Sequence, residues 1–366
     1  MKLTEIIRIL EEIAPPEFAY PNDRIGLLAG DPSQEIRRIT VTVDATPRVI
    51  TEATKMNMNL IIAHHPLIYN PLTDVRADKY PQSLIYRMIK SGISYYVIHT
   101  NYDAAEGGIN DALAERLGVA DTKILITTHT DKLYKIVVFV PVDTVDSVRI
   151  ALADAGAGMI GNYSHCSFQT DGIGLFVPED GASPYIGAVG EVESTDEVRL
   201  EMLAKESVLK SAITAMIKNH PYETPAYDVY PLWNEGKQHG YGLCGRLKAP
   251  MSFDGFHEMV RDVLDVEETR AVGDPDSMVE KVALMGGGGG GDIEAAKSAG
   301  ADVYVTGDVK HSQFLHAQAI GLNVVDATHF HTERPGMQVL ANRLSDLLMT
   351  SGVTVEYIDE IGISGV

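Results

Sequence analysis

Leu60–Ala63 reads LIIA, apolar at every position, and runs straight into His64, His65 and Pro66. A strand with one wet face alternates apolar and polar residues. A run without alternation is buried on both faces, which is the habit of parallel sheets covered by helices. The same pattern recurs around it. "RRITVTVDAT" reads as a strand leading to a helix entered through Pro47, and "ISYYVIHTNYD" as a strand after the helix "QSLIYRMIKSG". "GGINDALAERLG" is the next helix, and at the start Thr4 caps a helix with Ile6, Ile7, Leu10 and Ile13 on one face, stopped by Pro15 and Pro16. Alternation of this kind predicts an α/β lobe over residues 1–130.

The character changes near Leu133. "YKIVVFVP" is a strand, "TVDSVRIALADAG" an amphipathic helix, and "SHCSFQT" with "GIGLFVP" a pair of strands. "VLKSAITAMIKNH" is a helix and "TPAYDVYPL" a closing strand, so residues 131–235 read as an inserted ferredoxin-like α+β module. "NEGKQHGYG" is a polar link back. From Val282 the first pattern returns: "KVALMGGGGGGD", "ADVYVTGDVKH" and "LNVVDATHFH" are strands separated by helices, and "TERPGMQVLANRLSDLL" is a long helix. The expected fold is α/β, with two related lobes of parallel-type sheets, the second over 236–366, and the α+β module between them.

Length agrees, since 366 residues exceed one ordinary core. The balance of 30 basic against 51 acidic residues, net -21, repels phosphate backbones and anionic membranes and argues against a nucleic-acid partner. Cys166 and Cys244 are too few for a disulfide framework, which points to a reducing compartment. The N-terminus has no continuous apolar core of a signal peptide, and no stretch of about 18 apolar residues occurs to span a membrane. A cytoplasmic location is the expectation.

Four groups lie just past predicted strands: His64-His65, Asp103 in "HTNYD", Asp308 to His311 in "GDVKH", and His329 to Glu333 in "HFHTE". In open parallel sheets ligands bind beyond the carboxyl ends of strands, so these loops can converge. Taken singly, each has a plain structural reading: a satisfied histidine, a capping aspartate at Asp103, a carboxylate answering a helix dipole at Glu333. Together they are harder to explain, because burying several imidazoles and carboxylates is costly without a compensating cation. Adjacent residues on an extended chain point to opposite faces. His64 and His65 therefore face one site only if the chain turns there, and splayed imidazoles suit two ions about 3.5–4 Å apart better than one. His329 and Glu333 stand one helical turn apart if a helix begins there, with Pro335 in its first turn. His331 is expected to point away. The set is nitrogen and oxygen without thiolate, which fits zinc, iron, manganese, cobalt or nickel. His99, Asp308 and His311 are candidates for orienting ligands or moving protons.

The six glycines Gly286–Gly291 lack the ending of a Walker loop and make a poor dinucleotide fingerprint. An anion at the following helix start and a plain flexible turn both remain open readings. Met56, Met58, Met337 and Met349 read as core filler, and His165-Cys166 has no partnering metal set.

Taken together, "AHHP", "HTNYDAAEGGIND", "TGDVKH" and "DATHFHTE" resemble the Nif-three-like dinuclear-metal family (YbgI/YqfO type), whose members carry the name GTP cyclohydrolase 1 type 2 or homolog. "GAGMIGNYSHCSF" and "HPYETPAYDVYPL" match the middle insertion of its longer bacterial members, which resembles proteins of the PII and CutA type. The resemblance implies His64, His65, Asp103, His329 and Glu333 as metal ligands, two divalent ions per subunit with zinc the first expectation, and a toroidal homohexamer. The family often has serine in a GGSG-like segment; here the segment is glycine throughout.

Two functions follow as expectations. One is a metal-dependent hydrolase acting on a small molecule, by resemblance a nucleotide, with His311, Asp308 or His99 moving protons. No guanine-reading NKxD motif is present. The other is a non-enzymatic hexameric metal-binding scaffold or sensor regulated through the inserted module.

Overall fold

The computed structural model describes residues 1–359. It contains eleven α-helices and three sheets among those residues. The chain forms two compact units, one made of Met1–His129 with the segment from His239 onward, the other of Thr130–Gln238.

In the first unit a five-stranded sheet runs Gly26–Ala29, Ser94–Val97, Leu60–Ala63, Arg38–Thr42, Thr354–Tyr357 in spatial order. The last four are mutually parallel, and Gly26–Ala29 is an antiparallel edge. Its apolar runs are buried on both faces. Ile61, Ala63, Tyr95 and Val97 pack with Ile50, Leu84 and Met88 of the two flanking helices. Leu60, Ile62, Ile39 and Val41 face the opposite way, against Leu3, Ile6 and Leu10. The first helix starts at Leu3, earlier than a Thr4 cap would allow, because Glu5 accepts the Lys2 N–H at 2.7 Å and closes a capping box there.

The second sheet of this unit has six strands in the order Arg270–Val272, Asn323–Asp326, Val303–Thr306, Met278–Leu284, Gln238–Ser252, Val119–Thr130. Met278–Leu284, Val303–Thr306 and Asn323–Asp326 are parallel. One face packs Val282, Val303, Val305 and Val325 on Phe256 and Val260. The other turns Ala283, Tyr304 and Val324 into the same core that receives Leu60 and Ile62 from the first sheet. A shared core therefore holds the two sheets together.

The sheets do not follow the two halves of the sequence. Thr354–Tyr357, at the end of the chain, pairs with Arg38–Thr42 in the first sheet, and Val119–Thr130, from the first half, is the outer strand of the second. The "NEGKQHGYG" segment, read as a link, becomes strand from Gln238. Its glycines permit close backbone approach: a Cβ at Gly240 would lie 1.9 Å from the Ile126 carbonyl oxygen, and one at Gly245 2.4 Å from that of Ala120.

The second unit has a four-stranded antiparallel sheet ordered Ser167–Phe176, Glu193–Lys205, Leu133–Pro141, Tyr227–Pro231. With helices Val145–Asp154 and Glu206–Asn219, the wiring is βαββαβ. The expected strand pair "SHCSFQT"/"GIGLFVP" is one continuous strand, and its partner is the charged segment Glu193–Lys205. The glycines there mark no turn. A Cβ at Gly174 would lie 2.3 Å from Glu197 Oε2, so the residue clears space for a cross-strand carboxylate. The core of this unit is its own, built from Ile136, Val138, Val148, Leu152, Leu200, Ala212 and Met216.

A chain joining residues 1–130 to 236–366 through a short flexible linker is expected to unfold in one cooperative thermal transition and to take up divalent metal. Aggregation without metal uptake would show that the inserted segment is needed for the rest to fold.

Candidate metal centre

His64 and His65 follow the strand Leu60–Ala63 at the point where it leaves the sheet. Both backbone N–H groups donate to the Val43 carbonyl at 3.1 Å, a turn that no continuing strand could make. The rings stand 5.0 Å apart, inclined by 55°, on one side of the chain. Asp103 ends the short helix Thr100–Asp103. His329 opens the long helix His329–Leu348, with the Thr328 side chain as its N-cap, and Glu333 lies one turn further on. Pro335 is therefore inside that helix rather than in its first turn.

Each of the four clustered histidines is anchored through Nδ1. His64 meets the Ile98 carbonyl at 2.8 Å, His65 meets Asp44 Oδ1 at 2.9 Å, His329 meets Asp308 Oδ2 at 2.7 Å, and His99 meets Asp23 Oδ1 and Oδ2 at 2.9 Å. With a carbonyl or carboxylate accepting at Nδ1, a proton resides there, and Nε2 is left to face a cation or, where none is bound, to take a second proton. The Nε2 atoms then converge. His65 Nε2 lies 3.1 Å from His329 Nε2, an approach that leaves two lone pairs facing one another unless a proton or cation sits between them.

Glu333 is 3% exposed and sits at the centre. Its Oε1 is 2.9 Å from His329 Nε2 and 3.5 Å from His64 Nε2, and its Oε2 is 3.1 Å from His65 Nε2. Asp103 Oδ1 is 3.5 Å from His64 Nε2. His64 Nε2, Asp103 Oδ1 and Glu333 Oε2 are buried and have no hydrogen-bond partner. Three orphaned polar atoms turned toward one point fit a cation, and so does the oxygen and nitrogen donor set. Among the described residues, two groups have ligand atoms close enough to hold an ion: His64, His65 and His99, and His65, His329 and Glu333.

The electrostatics agree. Burial alone would raise Glu333, yet His64, His65 and His329 hold its carboxyl well below the usual range. Burial alone would lower the imidazoles, but Glu333 and its neighbours outweigh it, pushing His65 to about 11 and His329 to about 9 and raising His64. Asp103 goes the other way, raised by burial and by the Glu333 charge despite His64. The two carboxylates compete for positive charge, a competition that divalent cations would remove.

The glycine run lines this site. A Cβ at Gly287, where φ is +70°, would lie 2.3 Å from Glu333 Oε1 and 3.1 Å from His329 Nε2. The Gly286, Gly287 and Gly289 N–H groups donate to Asn110, Thr332 and Thr306 side chains, so they are committed to holding the loop. The helix after it, Ile293–Ser298, is a short one. Close packing explains Gly287 against Glu333, Gly286 against Ile109, Gly289 against Tyr304 and Thr306, and Gly290 against Gln313, whereas Gly291 faces open space.

Among the expected residues, His64, His65, Asp103, His329 and Glu333 meet, with His99 and Asp308 anchored beside them. His331 turns aside to Thr328 Oγ1 at 2.7 Å. His311 begins the helix His311–Ile320, is exposed, and makes no hydrogen bond or ion pair with the cluster. Asp44 and Asp23 were missed. Asp44 carries the same signal as the others, a carboxylate directly past the strand Arg38–Thr42. Asp23 lies in a loop without such a signal.

The sequence model of the Duf34/NIF3 family (NGG1p interacting factor 3) matches residues 1–361. A Bacillus subtilis (strain 168) protein named "GTP cyclohydrolase 1 type 2 homolog" is 47% identical over 326 residues, 89% of this chain and 87% of that one. A homolog of the same name from Halalkalibacterium halodurans is 40% identical across 96% of this chain and 95% of its own. The crystal structure of a Bacillus cereus protein related to NIF3 superposes with a TM-score of 0.92 at 41% identity, covering 100% of this chain and 98% of the other.

Gly287→Ala is expected to displace the Glu333 carboxylate and to weaken metal uptake by about tenfold or more, with a backbone cost of about 1 kcal/mol at positive φ. Gly291→Ala meets open space and should leave uptake unchanged. Titration of both metal-stripped variants with zinc checks this. Equal uptake by the two would show that the loop does not shape the site.

Proposed function

This chain belongs to the Duf34/NIF3 family, and from that premise we propose that it is a dinuclear divalent-metal hydrolase. The observation that carries the reading is the convergence of His64, His65 and His329 Nε2 atoms on the buried Glu333 carboxylate, each ring anchored at Nδ1. His64, Asp103 and Glu333 would hold one ion, and His65, His329 and Glu333 the other. Zinc is the first expectation for both. Ions bound there would supply Lewis acidity and stabilise the charge that develops during hydrolysis.

The chain's own residues supply orientation and proton transfer. Asp308 and Asp44 fix the His329 and His65 rings. His99 stands 5.2 Å from the His64 ring and 5.7 Å from that of His65, anchored on Asp23. Burial would raise Asp23, but His99 and Thr100 hold it far below the carboxylate range, so it keeps the proton on His99 Nδ1. His99 Nε2 can then take a proton from water as the water oxygen bonds to the substrate. It returns that proton to the leaving atom as the scissile bond breaks. Asp308, exposed beside the cluster, is a second candidate to exchange protons with solvent, and His311 is the third by its place at the start of the helix His311–Ile320.

The relatives' name suggests a GTP-like nucleotide as substrate, and the family resemblance suggests a toroidal homohexamer whose PII/CutA-like inserted modules guard the openings. No helix among the described residues is long and apolar enough to cross a membrane.

Elemental analysis of protein purified without chelator should find about two transition-metal ions per chain, the count a dinuclear site requires. His65→Ala should lose one of them and Glu333→Ala should disturb both. No metal, and none taken up on addition, would sink the proposal. Metal-loaded protein should hydrolyse at least one member of a nucleotide and ester panel; full loading without turnover would favour the scaffold reading. Light scattering coupled to size exclusion should give six times the chain mass.

A further inference from the structure

The long helix that carries His329 and Glu333 starts from a residue in an unfavourable backbone conformation. Thr328, its N-cap, has φ +65° and ψ 154°. That region belongs almost entirely to glycine, and a β-branched side chain raises the cost further. Asp308, whose Oδ2 anchors His329 Nδ1 at 2.7 Å, also has a positive φ, +55°. His329 and its anchor thus both project from backbone that must be held in place. Their two loops leave neighbouring parallel strands, Val303–Thr306 and Asn323–Asp326, and press on one another. A Cβ at Gly307 would lie 2.5 Å from the His329 backbone nitrogen.

One buried carboxylate holds both loops. Asp326 is 3% exposed and ends the second of those strands. Its Oδ1 accepts the Thr328 N–H at 3.1 Å, and its Oδ2 accepts the Val309 N–H at 3.1 Å. The first bond restrains the strained residue itself, and the second restrains the residue that follows Asp308. The Arg270 guanidinium pairs with Oδ2 and donates to the Val309 carbonyl at 2.9 Å, so the charge is answered and the second loop is gripped at both of its backbone groups. Both carboxylate oxygens are committed, which leaves Asp326 outside the ligand set. Hydrogen bonds to an ionised acceptor are about twice as strong as neutral ones, which suits a restraint that must oppose backbone strain.

We propose that Asp326 is a positioning residue for the metal centre. By holding Thr328 and Val309 it fixes the turns from which His329 and Asp308 project, and so aims His329 Nε2 at Glu333 and His65 before any ion arrives. The inference rests on the reading of the cluster as a two-ion site, and adds the residue that sets one half of it. The other half is held independently. His64 is anchored on the Ile98 carbonyl, and Asp103 is carried by the short helix Thr100–Asp103. Glu333 lies one turn inside its helix, beside the fully buried Thr332. Asp326 therefore governs the ion of His65 and His329 and leaves the ion of His64 and Asp103 in place.

Calorimetric zinc titration of the metal-stripped full-length chain tests it. Asp326→Asn offers one acceptor oxygen in place of two. It should weaken by about tenfold or more the binding step that His329→Ala abolishes, and leave the other step within about twofold. Arg270→Gln loosens the same restraint from the surface without disturbing the buried position, and should weaken that step by about threefold. Asp302→Asn is the matched control. Asp302 Oδ2 accepts the Glu280 and Lys281 N–H groups at 3.0 and 2.8 Å, but at the opposite end of the strand Val303–Thr306. Its loss should lower the melting temperature and leave both binding steps unchanged. If the two aspartate variants behave alike, or Asp326→Asn weakens both steps equally, the inference is overturned. The crystal structure of metal-free Asp326→Asn supplies a readout that needs no ion. His329 Nε2 should withdraw from Glu333 Oε1 as Thr328 relaxes to negative φ; an unmoved His329 would overturn the positioning role. The two ideas fail separately. Wild type that takes up no zinc removes the two-ion reading while the metal-free structure still decides the role of Asp326, and two tight ions in Asp326→Asn remove the positioning role alone.

Discussion

A carboxylate at 3% exposure, Glu333, stands where three imidazole nitrogens arrive from two different sheets. Removing that charge from water costs several kcal/mol unless opposite charge is held against it. Protonated histidines supply such charge in part, as the raised His65 and His329 show. They do so incompletely, because Glu333 Oε2, Asp103 Oδ1 and His64 Nε2 still lack partners. Cations bound there would complete the balance. The remaining features of the site serve to hold this arrangement.

The fold meets that demand by giving both sheets a common core. Leu60 and Ile62 from one sheet and Ala283 and Tyr304 from the other enter the same apolar cluster. The strand ends that carry His64-His65, His99 and Asp44 are thereby set against those that carry Asp308 and His329. The exchange of Thr354–Tyr357 into the first sheet ties the long helix bearing Glu333 to the strand Arg38–Thr42. The glycine loop packs so tightly on Glu333 that no side chain fits at Gly287. Rotation of the four imidazoles is restrained by the Nδ1 anchors, which the chain supplies from Ile98, Asp44, Asp308 and Asp23.

Much of this was legible in the residues, for physical reasons. Runs such as LIIA have no polar alternation, so burial on both faces and helical cover follow. Histidines and carboxylates directly past such runs mark the carboxyl edge of a sheet, and Asp44 could have been read by the same rule. Asp23 could not, because only tertiary folding brings its loop to His99, 76 residues away. The glycines misled in three places. At Gly174, Gly240 and Gly287 they answer a neighbour's close approach, which local sequence does not display. Glu193–Lys205 escaped notice because its charges obscure an alternation whose buried members are Val198, Leu200, Met202 and Ala204. Pro335 suggested a helix start, whereas the Thr328 cap begins the helix earlier and the ring is accommodated within it.

The central claim is that two ions share Glu333, and anomalous diffraction at the zinc edge from crystals grown with zinc tests it most directly. The account predicts two anomalous peaks per chain, one ligated by His64 and Asp103, the other by His65 and His329, with Glu333 reaching both. A single peak, or peaks that leave the Glu333 carboxylate uncoordinated, would contradict it.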